Sequence, residues 1–137
     1  MFTNPSAEQI RALLQSVKTI AVVGFSPHPH RPSHGVARSM QRAGYRIIPV
    51  RPGIREGLGE VAYPNLLALP EPPDLVDVFR APQHVAGIVD DCIALKLNNL
   101  WLQEGVVDET AAMCARTAGM TVVMDRCIWK DYWSLMA

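Results

Sequence analysis

The run Thr19-Ile20-Ala21-Val22-Val23-Gly24 is continuously apolar, rich in β-branched residues and stopped by glycine. Such a strand has no polar side to turn to water, so it must be covered on both faces, as in a parallel sheet between two helical layers. The pattern returns at Tyr45-Arg46-Ile47-Ile48-Pro49-Val50, Leu75-Val76-Asp77-Val78-Phe79, Asn99-Leu100-Trp101-Leu102-Gln103 and Met120-Thr121-Val122-Val123-Met124-Asp125. Pro49 lacks a ladder donor and belongs near the end of its strand. A further short edge strand is expected around Val61-Ala62-Tyr63.

Between these runs the apolar period changes to that of a helix. Residues 6–17 carry Ile10, Leu13, Leu14 and Val17 behind the N-cap candidate Ser6. Residues 33–43 read as a helix with Ser33 as its cap and Gly44 as its stop. Residues 82–97 place Val85, Val89, Cys92, Ile93 and Lys96 along one side, and Asp108 caps a helix ending near Gly119. Leu66 to Leu69 is expected to form one further turn of helix, and residues 129–137 a short one that packs its aromatics on the body. Strand–helix alternation at this spacing predicts right-handed crossovers. The expected fold is a Rossmann-like three-layer α/β/α domain with a mostly parallel sheet of five or six strands, occupying residues 1–137 as a single domain. The Pro- and Gly-rich stretch 52–73 is an excursion to the sheet edge.

An open sheet of this kind binds ligands beyond the carboxyl ends of its strands, where strand order reverses. With the order 3-2-1-4-5-6, the reversal lies beside Gly24, and the loops 24–34, 50–55, 79–84 and 103–107 converge on it. The 24–34 loop leads into a helix whose opening amides, near Ser33 to Gly35, form an anion site with the helix dipole. Gly24 serves either the close approach of a phosphate or a tight turn, and Ser26 offers a hydroxyl. The G-x-G-x-x-G dinucleotide fingerprint is missing, and Arg51 stands where an NAD site needs an acidic residue for the ribose. A guanidinium suits a ribose phosphate instead, as in coenzyme A or NADP. Arg31, Arg55 and Arg80 fall in the same loops, a local concentration of charge in a chain with 13 basic and 13 acidic residues. That balance argues against a nucleic-acid partner, and no apolar run reaches the length of a membrane span.

Several other groupings receive structural readings. His28, His30 and His34 have no cysteine or carboxylate beside them, so they are expected to cover phosphates rather than hold a metal. The three cysteines, Cys92, Cys114 and Cys127, lack CxxC spacing and suit a reduced, cytoplasmic protein. Cys92 and Cys114 read as core. Cys127, after Asp125-Arg126 at the ligand end of the sheet, is either a small apolar residue or, with Arg126 lowering its pKa, a thiol placed for a mixed disulfide with a coenzyme. Asp77 and Asp125 are expected to accept hydrogen bonds from loop amides. Trp129, Tyr132 and Trp133 either pin the tail or make a subunit contact, which leaves a homo-oligomer open. Neither a G-x-S-x-G elbow, an HExxH pair nor a Walker lysine is present, so no catalytic residue is assigned.

In order along the chain, Ile20-Ala21-Val22-Val23-Gly24-Phe25-Ser26, Arg31-Pro32-Ser33, Gly44 to Val50, Glu60-Val61-Ala62-Tyr63-Pro64, Asp74 to Arg80, Trp101 to Val106 and Val123-Met124-Asp125-Arg126-Cys127 form a pattern. It resembles the small stand-alone CoA-binding proteins, relatives of the nucleotide-binding domain of the succinyl-CoA synthetase α subunit. The resemblance implies coenzyme A across the crevice. The 24–26 loop would hold its diphosphate, the loop at Arg51 would meet the region of the adenosine 3′-phosphate, and the 79–83 loop would border adenine and pantetheine. The family usually has asparagine at the position of Arg51. The expected binding set is Gly24, Phe25, Ser26, Arg31, Ser33, Val50, Arg51, Pro52, Phe79, Arg80, Gln103, Glu104 and Gly105. The synthetase's phosphohistidine chemistry sits on a ligase domain with no counterpart here, so the expected function is that of a non-catalytic binder of coenzyme A or acyl-CoA, acting as carrier, sensor or partner of an acyl-CoA enzyme. An NADP-dependent oxidoreductase or other nucleotide-using enzyme, and an interaction protein with a vestigial nucleotide pocket, are the alternatives.

Overall fold

Ser6 starts the first helix by a reciprocal cap: its hydroxyl accepts from the Gln9 amide at 3.2 Å, and Gln9 Oε1 accepts from the Ser6 amide at 2.8 Å. The computed structural model describes residues 1–136. Its elements are α1 (Ala7–Ser16), β1 (Thr19–Val23), α2 (Pro32–Arg42), β2 (Arg46–Val50), β3 (Glu56–Gly57), β4 (Glu60–Val61), β5 (Leu75–Val78), α3 (Val85–Ala94), β6 (Asn99–Leu102), α4 (Glu109–Thr117), β7 (Thr121–Met124) and α5 (Ile128–Leu135). Single 3₁₀ turns occupy Leu66–Ala68 and Pro82–His84.

Five strands form one parallel sheet in the order β2-β1-β5-β6-β7. Alternation along each strand sends Ile20, Val22, Leu75, Trp101 and Val123 to the layer of α1, α2 and α5. Ala21, Val23, Val76, Val78, Leu100, Leu102 and Val122 go to the layer of α3 and α4. This is the Rossmann-like α/β/α domain expected from the continuous apolar runs.

The short strand expected around residues 61–63 is different. Glu60–Val61 turns back antiparallel onto Glu56–Gly57, and only Tyr63 reaches the main sheet, by a parallel bridge to Val50. The Tyr63 amide donates to the Pro49 carbonyl at 3.0 Å, and the Arg51 amide donates to the Tyr63 carbonyl at 2.8 Å. On the opposite rim a side chain does similar work. Asn4 Nδ2 donates to the Met124 carbonyl at 2.9 Å, and Asn4 Oδ1 accepts from the Met124 amide at 2.8 Å.

Other expectations shift by local packing. α2 is capped at Arg31 without a side-chain bond, because Pro32 takes the first helical position and draws Ser33 inside the helix. The third long helix opens as the 3₁₀ turn and ends by Ala94; Lys96 has φ +57, and Ile93 is 38% exposed. Cys114 is exposed, because Ala111, Ala112 and Ala115 form the buried stripe of α4. Asp108 caps α4 as expected, accepting from the Ala111 amide at 3.0 Å. In α5, Trp129 stacks on Tyr132, Tyr132 meets Tyr45 edge-on, and Trp133 remains exposed. Tyr45 donates its hydroxyl to the Leu14 carbonyl, and burial, then the neighbouring Tyr132, pushes its pKa up to about 12. No helix among the described residues is long and apolar enough to cross a membrane.

Candidate functional site

From β1 the chain crosses to β2 on one side of the sheet, and from β2 it returns to β5 on the other. The loops leaving β1 and β5 therefore diverge, and a cleft of about 920 Å³ opens at their carboxyl ends. Gly24, Phe25, Ser26, Arg31, Ser33, Arg51, Pro52, Phe79, Arg80, Gln103, Glu104 and Gly105 all line it. Val50 does not. As the last residue of β2 it points to the α3/α4 layer, is 2% exposed, and borders a separate cavity of about 380 Å³.

Lining residues differ in what they leave free. Gly24 has φ +87, and a β-carbon there would lie 2.6 Å from the Phe79 carbonyl oxygen and 2.9 Å from Cδ of Arg80. The close approach it permits is that of the neighbouring loop. The Phe25 ring is fully buried, covered by Gly57 and tilted on His34 at 5.5 Å, so only its main chain is available to a ligand. Burial, then the charge of Arg38, lowers the His34 pKa.

Ser33 Oγ accepts from the Ser26 amide at 2.9 Å, and Ser26 Oγ accepts from the His28 amide at 3.2 Å. Each hydroxyl keeps its own proton to donate. The amide set is smaller than the sequence suggests. His34 and Gly35 both donate to the Arg31 carbonyl at 3.0 Å, which leaves the Ser33 amide as the donor at the start of α2. Gln103 is 5% exposed; its Oε1 accepts from the Ile128 amide at 3.1 Å and so fixes the start of α5. The Gly105 amide donates to Asp125 at 2.8 Å, the loop contact expected of that aspartate.

Charge in the cleft is one-sided. Arg31, Arg51 and Arg80 line it, and none has an ion-pair partner among the described residues. The one acidic lining residue, Glu104, is paired with Lys130 at 3.2 Å. Arg55 is absent: Gly53, at φ +84, turns the chain into the β3–β4 hairpin, where Arg55 is exposed. Pro32, Val36, Ala81, Pro82 and Val106 complete an apolar portion of the wall. Their signal in the sequence is adjacency to residues of the converging loops, which says nothing of side-chain direction.

Titratable groups near the cleft fall into distinct situations. Asp77 shares the face of Leu75 and Phe79, one residue pair below the floor; it is 1% exposed and its Oδ1 has no partner. No loop amide reaches it, contrary to expectation, because its neighbours in register are Val22 and Trp101. Burial raises its pKa well above the ordinary carboxylate value. Cys92 lies in the α3/α4 core, where burial, then Asp91, pushes its thiol up to about 12. Cys127 is 7% exposed and lines the cleft. The Arg126 guanidinium binds both oxygens of Asp131 at 2.7 Å, a pairing that raises its own pKa. His28 lines the cleft with its ring 5.8 Å from that of His30, and no three His, Cys, Asp or Glu side chains among the described residues could together hold a metal ion.

Known proteins resemble this chain in sequence and in fold. An uncharacterized protein of Bacillus subtilis, YneT, is 43% identical over 125 residues, spanning 91% of this chain and 93% of its own. A solved structure from Thermus thermophilus, 37% identical, superposes with a TM-score of 0.91 over 96% of this chain and all of that one (100%). A 75-residue segment, 55% of this chain, is 29% identical to 11% of an ADP-forming acetate–CoA ligase of Archaeoglobus fulgidus. The CoA binding domain family matches residues 18–132, from the residue before β1 into α5. On that match and the likeness to YneT, the chain belongs to the CoA binding domain family.

Proposed function

We propose that this protein binds coenzyme A, free or as an acyl thioester, across the carboxyl ends of its strands and acts as a non-catalytic binding protein for an acyl-CoA enzyme. The observation that carries the reading is the set of three unpaired guanidiniums, Arg31, Arg51 and Arg80, on one cleft of a chain with no net charge. Coenzyme A carries a diphosphate and a ribose 3′-phosphate, and planar forked donors suit both. The Ser33 amide and the two serine hydroxyls add donors at the mouth of α2. Apolar wall residues Val36, Phe79, Ala81, Pro82 and Val106 suit adenine and the pantetheine arm. Gln103, the amide side chain in the wall, is held by the Ile128 amide, which supports binding without turnover.

Calorimetry with coenzyme A, desulfo-CoA, NADP and ATP tests the reading. Selective binding of both coenzyme A forms is expected; preference for NADP, or no binding of any nucleotide, overturns it. Arg51→Ala and Arg80→Ala should each weaken coenzyme A binding by about 1–3 kcal/mol, roughly 5- to 150-fold, the range for a charge-assisted contact in a partly shielded site. If Arg51 meets the ribose phosphate, 3′-dephospho-CoA should bind more weakly than coenzyme A to the unaltered protein and equally to Arg51→Ala. Full affinity in both arginine variants removes them from the site.

A further inference from the structure

We propose that Cys127 is a capture site for the thiol end of the ligand, forming a mixed disulfide with coenzyme A by exchange with a coenzyme A disulfide. The inference rests on the coenzyme A reading of the cleft and adds a redox-dependent way of retaining the ligand.

Three observations converge on this residue. Of the three cysteines, Cys127 alone lines the cleft; Cys92 is enclosed in the α3/α4 core, and Cys114 is exposed on α4 beside Met1 and Phe2. The Cys127 side chain has no structural duty at the helix it precedes. It makes no capping bond to α5, because Gln103 Oε1 already accepts from the Ile128 amide. The distance also fits the ligand. The Arg126 amide donates to the Leu102 carbonyl and the Ile128 amide to Gln103 Oε1, so Cys127 stands over the end of β6, two strand spacings from Gly24 at the end of β1, or roughly 10 Å across the sheet. Thirteen bonds separate phosphorus from sulphur in the phosphopantetheine arm. At the ~1.1–1.2 Å per bond of an extended chain, the arm spans about 15 Å. A thiol on an arm anchored at the mouth of α2 therefore has the length to reach Cys127, with the arm passing Phe79 and Gln103.

The step is a balanced thiol–disulfide exchange. The Cys127 sulphur, having lost its proton to solvent, attacks one sulphur of the coenzyme A disulfide, and a new protein–ligand S–S bond forms as the old one breaks. The second coenzyme A leaves as a thiolate and takes up a proton. The coenzyme disulfide is the oxidant, reduced by one thiol equivalent as Cys127 is oxidised.

The test incubates the full chain with coenzyme A disulfide and, separately, with glutathione disulfide at equal concentration. Intact mass, free coenzyme A release and peptide mapping are followed. One adduct per chain on Cys127 is expected, with one coenzyme A released, forming at least tenfold faster than the glutathione adduct and slowed by desulfo-CoA. A thiol reductant should reverse it. Cys114→Ser should leave the adduct intact, and Cys127→Ser should abolish it with an unchanged melting temperature. Mapping in the unaltered chain decides the matter if that variant fails to fold. An adduct on Cys114, no adduct, or equal rates with glutathione disulfide overturns the capture role. If desulfo-CoA still binds by calorimetry in that event, the cleft reading stands; if it does not, both fall.

Discussion

Gly24→Ala is expected to destabilise the protein by about 3 kcal/mol and to lower its melting temperature by roughly 10 °C. Two costs add at this position. The backbone sits at φ +87, where a β-carbon costs roughly 1–2 kcal/mol. That carbon would also lie 2.6 Å from the Phe79 carbonyl oxygen, part of a chain held by the bond from the Phe79 amide to the Val23 carbonyl at 2.8 Å. Relieving such crowding typically costs about 1–3 kcal/mol more. The loop that must yield carries Arg80, so coenzyme A affinity should fall together with stability. Thermal unfolding with and without ligand measures both. A variant melting within about 2 °C of the unaltered protein would show that the two loops are not packed as described.

Asp77→Asn is expected to remove a large pH dependence of stability. The buried carboxyl has its pKa raised by desolvation, so the folded protein holds that proton where the unfolded chain releases it. Below the ordinary carboxylate range both states are protonated and pH has no leverage through this group. Above that range the unfolded chain ionises first, and stability falls by about 1.4 kcal/mol per pH unit until the folded pKa is passed. As pH rises above the ordinary carboxylate range, the unaltered protein should thus lose stability relative to Asp77→Asn. Urea unfolding of both from that range upward isolates this residue by difference. Parallel curves would mean that Asp77 is ionised in the fold or solvated in a way its burial does not reveal.

These two residues also mark where the chain's meaning was plain and where it was not. The uninterrupted apolar strands ending at Gly24 and Phe79 were enough to announce a covered parallel sheet and the end at which a ligand would lie, because period and length alone exclude a half-exposed strand. The loops that line the cleft followed from chain order. Side-chain direction did not. Phe25 stands beside Gly24 in sequence, yet its ring is held down by Gly57 across the hairpin, a contact made only on folding. Ser33 reads as a cap, but with Pro32 at the first helical position the cap moves two residues back to Arg31, and the Ser33 hydroxyl meets Ser26 instead. Asp77 resembled an acid waiting for loop amides; register placed it between Val22 and Trp101 instead. The strand expected near residue 62 was reduced to one bridge because Glu60–Val61 found a nearer partner in Glu56–Gly57. Each miss is a competition between local chemistry and a distant neighbour, which local pattern cannot weigh.

Tyr63 on one rim and Asn4 on the other engage the backbone of β2 and β7 at the end of the sheet where the cleft opens. Exposed ladder groups invite foreign strands to dock and lengthen a sheet, the first step toward insoluble polymer. Here a visiting strand meets a proline, a bridged tyrosine and an asparagine amide already standing in for it. Strand addition at either flank, beside the mouth of the cleft, would first have to displace these bonds.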